Sequence, residues 1–258
     1  MNSDRLIIQI YEIQTPGEAE MMIELGVDHI GSVVLSEESW KDGDLLDTIQ
    51  VTRGSGAKSS LIPLFRDPDA VYRVLDFYRP DIVHFCDAIT LSANLEQSCA
   101  GHVALQRGVR ARFPGVKIMR SIPIPRPGRS TGFPVVGIAQ AFEQHSDFFL
   151  TDTLITANHG FEGAEQPVAG FVGITGKTCD WDAAALLVAA THLPVILAGG
   201  ISPDNVADGI RKTRPAGVDS CTATNATGPD GAPMRFSKDP DRVRRLVENT
   251  RMAVKTCC

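Results

Sequence analysis

A single (β/α)8 barrel is the fold this sequence predicts. Short β-rich runs alternate with longer helical patterns, and eight such runs can be counted along the 258 residues. That length is ordinary for one barrel. No GxGxxG follows the first run, "IQIYEIQTPG", as a doubly wound nucleotide-binding sheet would require. No composition break divides the chain, so residues 1–258 are read as one barrel, with a frayed C-terminal tail from about residue 252.

The expected strands are Leu6–Tyr11, His29–Val34, Ser60–Phe65, Ile82–Phe85, Val116–Ser121, Asp147–Thr151, Val195–Ala198 and Gly217–Ser220. Between them, "PGEAEMMIELG" opens on Pro and closes on Gly, as helices prefer. "DAVYRVLDFYRP" spaces Val71, Val74, Leu75 and Tyr78 at helical intervals. "SPDNVADGIRK" offers Ser202 as N-cap and Pro203 in the first turn, and "DPDRVRRLVENTRMAV" supplies the closing helix. Two long loops, "PIPRPGRSTGFP" and "LITANHGFEGAEQPVAG", follow the fifth and sixth strands. Both lie at the C-terminal ends of strands, where barrels build active sites.

The bulk numbers exclude several classes. A net charge of -6 argues against a nucleic-acid partner, which wants a basic face. Six cysteines form no CxxC pair and no His follows them at zinc spacing, so neither a metal nor another cofactor is expected. The start lacks a basic n-region, and no apolar run reaches the ~18 residues a membrane span needs, so a cytoplasmic protein is expected. Hydrophobic helix faces give no dimer signal, and the oligomeric state stays open. The terminal Cys257 and Cys258 are read as free thiols.

"GITGKT" is the stretch with the most chemistry in it. It is not a Walker A loop, because Phe171 stands where that motif needs Gly. Gly173 and Gly176 let the backbone turn its N–H groups inward, and the helix that follows brings a positive dipole end. "LAGGIS" repeats the arrangement with Gly199 and Gly200. Adjacent in a barrel, the two loops are expected to hold a phosphate, so the partner expected is a phosphorylated small molecule.

Taken in order, "IQIYEIQTPGEAEMMIELGVDHIGSVV", "DIVHFCD", "FFLTDT", "GITGKTCDWD", "LPVILAGGISPDNV" and "AGVDS" resemble the phosphoribosylanthranilate isomerase family of tryptophan biosynthesis. The resemblance runs from the first strand to the eighth and is strongest in the last third. It implies that Gly173, Thr175, Gly176, Gly199 and Gly200 grip a phosphate. It also implies an Amadori rearrangement of an aminosugar phosphate, an aldose–ketose isomerisation by a general acid and a general base. The acid it implies is Asp152. That carboxyl stands just past an apolar run at the expected barrel rim, where burial raises a pKa.

Three departures accompany the resemblance. The family's base is a Cys in a Lys-Ile-Cys-Gly pattern, whereas this chain reads "QIYE", placing Tyr11 at the Cys and Glu12 at the Gly. Tyrosine, with an ordinary pKa of about 10, is a poor base, so Glu12 or another carboxylate is the candidate. Strand alternation points Glu12 away from the face Tyr11 uses, unless a bulge re-aims it. The family's Ser-Pro-Arg after the second strand becomes "SEESWKDG", leaving Lys41, Arg66 and Arg120 as candidate substrate-binding cations. Its Ser-Ser-Gly-Val-Glu becomes "SCTATNATGPDG", where Thr222, Thr224 and Asn225 can donate to an anion. Two rival functions stay open: a lyase or aldolase on the same barrel, for which Lys117 is the only strand lysine, and a non-catalytic binder of a phosphorylated metabolite.

Overall fold

A computed structural model describes residues 5–155 and 166–256. Cys257, Cys258 and residues 156–165 of the loop after the sixth strand lie outside the described residues. Eight parallel strands close into a barrel in sequence order: β1 (Ile7–Ile10), β2 (His29–Val34), β3 (Lys58–Pro63), β4 (Ile82–Phe85), β5 (Lys117–Pro125), β6 (Phe148–Leu154), β7 (Val195–Leu197) and β8 (Gly217–Ser220). The ring is shut by β8 against β1, where Ile7 pairs Gly217 and Ile10 pairs Ser220. Each predicted strand is present: β2, β4 and β8 have the expected bounds, and the other five have ends moved by a few residues. The largest extension is at β5, which runs through "PIP" to Pro125 instead of ending at Ser121, so Pro123–Pro125 belong to strand, not loop.

Helices α1 (Pro16–Glu24), α2 (Gly43–Ser55), α3 (Pro68–Tyr78), α4 (Leu95–Arg112), α5 (Val135–Phe142), α6 (Trp181–Ala190), α7 (Val206–Thr213) and α8 (Pro240–Thr256) cover the outside. Local chemistry starts them. Thr15 Oγ1 accepts from Glu18 N–H at the head of α1, Asp67 caps α3 from Ala70 N–H at 2.9 Å, and Asp180 caps α6. The predicted apolar stripe of α3, with Val71, Val74, Leu75 and Tyr78, is buried. Two expectations need correction. Ser202 does not cap α7, which begins at Val206. The Asn205 side chain instead ties the approach, accepting from Ser202 N–H and donating to Gly200 O, each at 2.9 Å. The expected tail from about residue 252 is helical through Thr256, because α8 carries its apolar face, including the buried Leu246 and Ala253, against the core.

The sequence reading missed one element. Between β8 and α8 an antiparallel hairpin forms from β9 (Asn225–Thr227) and β10 (Pro233–Lys238). Its turn is "GPDG", where Gly228 N–H donates to Ala232 O at 2.8 Å. Gly31 on β2 shows what holds the upper interior together. A Cβ there would sit 2.2 Å from the Tyr11 ring, so glycine makes the space that the phenol fills.

Candidate active site

The glycine loops after β6 and β7 meet at one end of the barrel around a cavity of about 800 Å³ including its open mouth. Gly173, Thr175, Gly176, Gly199, Gly200 and Thr222 all line it. The two loops touch: a Cβ on Gly200 would stand 2.5 Å from the backbone at Lys177 and Thr178. The backbone of Gly173, Gly176, Gly199 and Gly200 is left-handed, with φ of 108°, 62°, 85° and 66°. Among the described residues, none accepts a hydrogen bond from the amides of Gly173, Thr175, Gly176 or Gly200. Those N–H groups are therefore available to an anion. Thr224 and Asn225 do not line the cavity: both are buried, with Thr224 Oγ1 donating to Cys221 O and Asn225 Oδ1 accepting from Lys238 Nζ.

Asp152 lies within β6 and lines the same cavity. Burial pushes its carboxyl up to about 7, against only one opposing hydrogen bond, from Thr153 N–H at 2.8 Å. Its Oδ2 would be 2.1 Å from a Cβ on Gly173, so the glycine that opens the loop also makes room for the acid. Sequence reasoning passed over Asp219, a second buried carboxyl of the cavity wall. Burial pushes it too up to about 7, with Asp152 adding to the rise and Gln9 Nε2, at 3.1 Å, opposing it. Its alternation on β8 is the signal that could have found it: Asp219 shares the inward face with the barrel interior.

Below them Tyr11 is buried in the barrel. Its hydroxyl meets Ser60 Oγ at 2.6 Å and His84 Nδ1 at 2.8 Å, while His84 Nε2 meets Ser121 Oγ at 2.8 Å. Burial drives the phenol well above its ordinary value and pulls His84 down to about 3, so both are neutral. Tyr11 is thus no base. Burial likewise drives the thiols of Cys86 and Cys221, which also line the cavity, far above their ordinary range.

Glu12 reaches the cavity despite strand alternation. β1 ends at Ile10, and Glu12 adopts a left-handed φ of 68°, which re-aims its side chain. This is the position the family resemblance assigns to glycine, the residue for which that backbone is unstrained. Glu12 is 1% exposed and is paired with Arg235 of β10, whose Nε lies 2.7 Å and Nη2 2.5 Å from Oε1.

The three predicted cations separate. Arg66 sits at the rim, its guanidinium 5.7 Å from the Phe171 ring that lines the cavity, with Nη2 donating to Gly170 O at 3.2 Å. Arg120 and Lys41 do not reach the cavity, which corrects both expectations. Arg120 faces outward from β5, between neighbours Met119 and Ser121 that face in. It donates to Asp87 Oδ1 at 2.9 Å and packs 4.6 Å from the Phe142 ring. Burial raises Asp87, but Arg120 and His102 outweigh it and hold the carboxyl well below its usual range. Lys41 lies over Trp40 and Phe77 on the outer layer, 5.1 and 5.4 Å from their rings. Lys117 at the foot of β5 pairs with Asp147 at 3.1 Å, which gives it a structural role.

Comparison with known proteins finds similarity in the same part of the chain. The family model of N-(5'-phosphoribosyl)anthranilate isomerase matches residues 130–248, the part that carries β6, both glycine loops and β8. A curated isomerase of that name from Natronomonas pharaonis is 23% identical over 93% of this chain and 96% of its own. Over residues 130–248 the chain carries the sequence pattern of that isomerase family. The Haloferax volcanii isomerase is 43% identical over 34% of this chain and 37% of its own. A second isomerase, from Methanosarcina mazei, is 36% identical over 43% of this chain and 42% of its own. The chain thus spans well under half the length of those two relatives. Among solved structures, the Pyrococcus furiosus isomerase superposes with a TM-score of 0.62 at 20% identity, covering 95% of this chain and 98% of that one. A phosphoribosylanthranilate isomerase in complex with reduced 1-(o-carboxyphenylamino)-1-deoxyribulose 5-phosphate gives 0.61 at 15%, with the same coverage. At these identities the two structures speak for the barrel fold. Among the described residues, no helix is long and apolar enough to cross a membrane.

Proposed function

We propose that this protein catalyses the phosphoribosylanthranilate isomerase reaction, an Amadori rearrangement of an aminosugar phosphate. The observation that carries it is the convergence, in one cavity, of two glycine loops with free amides, an acid poised near neutrality and a second carboxylate. The phosphate sits on the amides around Gly173–Gly176 and Gly200, with Thr222 beside it. A related isomerase holds a deoxyribulose 5-phosphate compound, in keeping with a ligand of that class.

Asp152 is the general acid. At neutral pH about half of it carries a proton, which passes to the ring oxygen as the C1–O bond breaks and an iminium forms. Glu12 is the general base. It takes the proton from C2, and the C–H electron pair forms the C1–C2 double bond while neutralising the iminium. The resulting enolamine tautomerises to the ketose. The cavity side away from the glycine loops is apolar, with Val33, Ile62, Leu64 and Phe171, and it suits the aromatic amine, with Arg66 at the rim for its carboxylate. No cofactor enters the scheme, and the cytoplasm fits a biosynthetic enzyme of this type.

The test is turnover of phosphoribosylanthranilate by the wild type and by Asp152→Asn. Loss of kcat by about 10²–10⁴-fold in the variant is expected, with phosphate binding retained. In the wild type, kcat falls as pH rises through about 7, where Asp152 gives up its proton. An Asp152→Asn protein that turns over at the wild-type rate removes the proposal.

A further inference from the structure

We propose that Arg235, on the hairpin between β8 and α8, is the positioning residue that fixes Glu12 for proton transfer. This rests on the reading of Glu12 as the base. The two side chains are 223 residues apart in sequence and meet because β8 closes against β1. Arg235 Nε donates to one oxygen, Oε1, at 2.7 Å, and Nη2 stands 2.5 Å from the same oxygen. The other oxygen, Oε2, is buried in the cavity wall with no nitrogen or oxygen partner among the described residues; the Cys221 thiol, itself in that wall, is the neighbouring group that interacts with this carboxylate. One oxygen is held by a cation, and its twin faces the cavity with only a thiol beside it.

Burial makes the arrangement informative. A carboxylate this deep needs a countercharge, and an unpaired lone pair is costly unless something else satisfies it. Arg235 supplies the charge from outside. Its side chain is 38% exposed, and it does not line the cavity. It therefore acts through Glu12, not on the ligand. Backbone geometry brackets the contact: Glu12 at φ 68° and Phe236 at φ 60° are both left-handed without being glycine. Such positions persist only where the surroundings enforce them, and they gather at functional sites. The hairpin enforces them. Lys238 Nζ donates to Cys221 O at 3.1 Å, Lys238 N–H donates to Glu18 Oε1 at 3.0 Å, and the Arg235 guanidinium lies 4.7 Å from the Phe236 ring. With Oε1 and the backbone both pinned, the carboxylate plane is set and Oε2 is the atom that accepts the C2 proton.

The experiment compares wild type, Arg235→Ala, Arg235→Lys, Glu12→Gln and the Glu12→Gln/Arg235→Ala double variant. It measures kcat and KM for phosphoribosylanthranilate, and binding of inorganic phosphate by thermal shift. Arg235→Ala is expected to lower kcat on the order of 10²-fold, the usual cost of a misplaced reacting group, with KM and phosphate binding within about threefold. Added guanidinium ion restores part of the lost kcat in Arg235→Ala and none in the double variant. Arg235→Lys keeps the charge but loses the two-donor grip, and falls between. Once Glu12 is Gln, removing Arg235 costs nothing further. Wild-type kcat in Arg235→Ala, an equal loss in the Glu12→Gln background, or no guanidinium rescue overturns the proposal. Should Arg235→Ala not fold, wild-type kcat in Arg235→Lys overturns it. A wild type without turnover removes the underlying reading, and this inference with it; an active wild type indifferent to Arg235 removes this inference alone.

Discussion

Asp152 and Asp219 are buried in one cavity, and each is pushed up to about 7 from an ordinary value of 3.8. A carboxyl raised on folding contributes stability that is fully present below its unfolded pKa. That contribution is lost as pH rises toward and through about 7, because the unfolded chain ionises freely while the folded one resists. Replacing either with Asn should therefore stabilise the fold by on the order of 1–4 kcal/mol at pH 8 and by little near pH 4. Urea unfolding of the two variants at pH 4 and pH 8 checks this; equal effects at both would mean the carboxyls are not held up by burial. The expected divergence is that Asp152→Asn gains stability and loses turnover. Residue by residue, Asp152 was legible because a polar residue after an apolar strand run is conspicuous. Glu12 was only half legible. Alternation aimed it outward, and the left-handed turn that brings it back leaves no mark in a non-glycine sequence. Arg120 misled because charge is visible in a sequence and its partner, Asp87, is not.

The loop between β6 and α6 binds an element-scale constraint to a chemical one. Gly173 has φ 108° and faces Asp152 Oδ2 at a distance no Cβ tolerates. Gly173→Ala should cost about 1–3 kcal/mol of stability, displace the carboxyl and weaken phosphate binding together. Thermal unfolding, turnover and phosphate titration of that variant measure the three effects; a variant that keeps full turnover would show that the carboxyl does not depend on the loop. The alternation of strands and helices was readable because each element carries its own period and caps, as in α3 with Asp67 and its apolar stripe. The hairpin of β9 and β10 was not, since its strands are short and exposed and lack an alternating apolar face. That element carries Arg235, so the sequence reading found Glu12 without finding the side chain that pairs with it.

At the scale of the molecule, the proposed anion site draws on loops from separate parts of the chain, and a ligand that binds only the closed barrel stabilises all of it. A phosphate ester at about one hundred times its Kd should add about 2.7 kcal/mol, and so raise Tm by about 5–10 °C for a chain of this size. Differential scanning fluorimetry with a phosphate ester and its unphosphorylated sugar separates this from a sugar-driven effect. No shift with the ester would leave the glycine amides without a ligand.

The seam where β8 meets β1 has a consequence for how the chain is made. β1 pairs β2 on one edge, but on the other Ile7 to Ile10 find their partners at Gly217 to Ser220, and Arg251 reaches back to Asp28 at 2.6 Å. During synthesis β1 therefore leaves the ribosome long before β8 and is among the last strands of the barrel to be fully paired. For most of translation "IIQI" is an apolar strand with one bare edge, the kind of segment that invites pairing with a stranger. Truncation ahead of Gly217 would deny it that partner permanently, turning a closed barrel into an aggregation-prone ribbon.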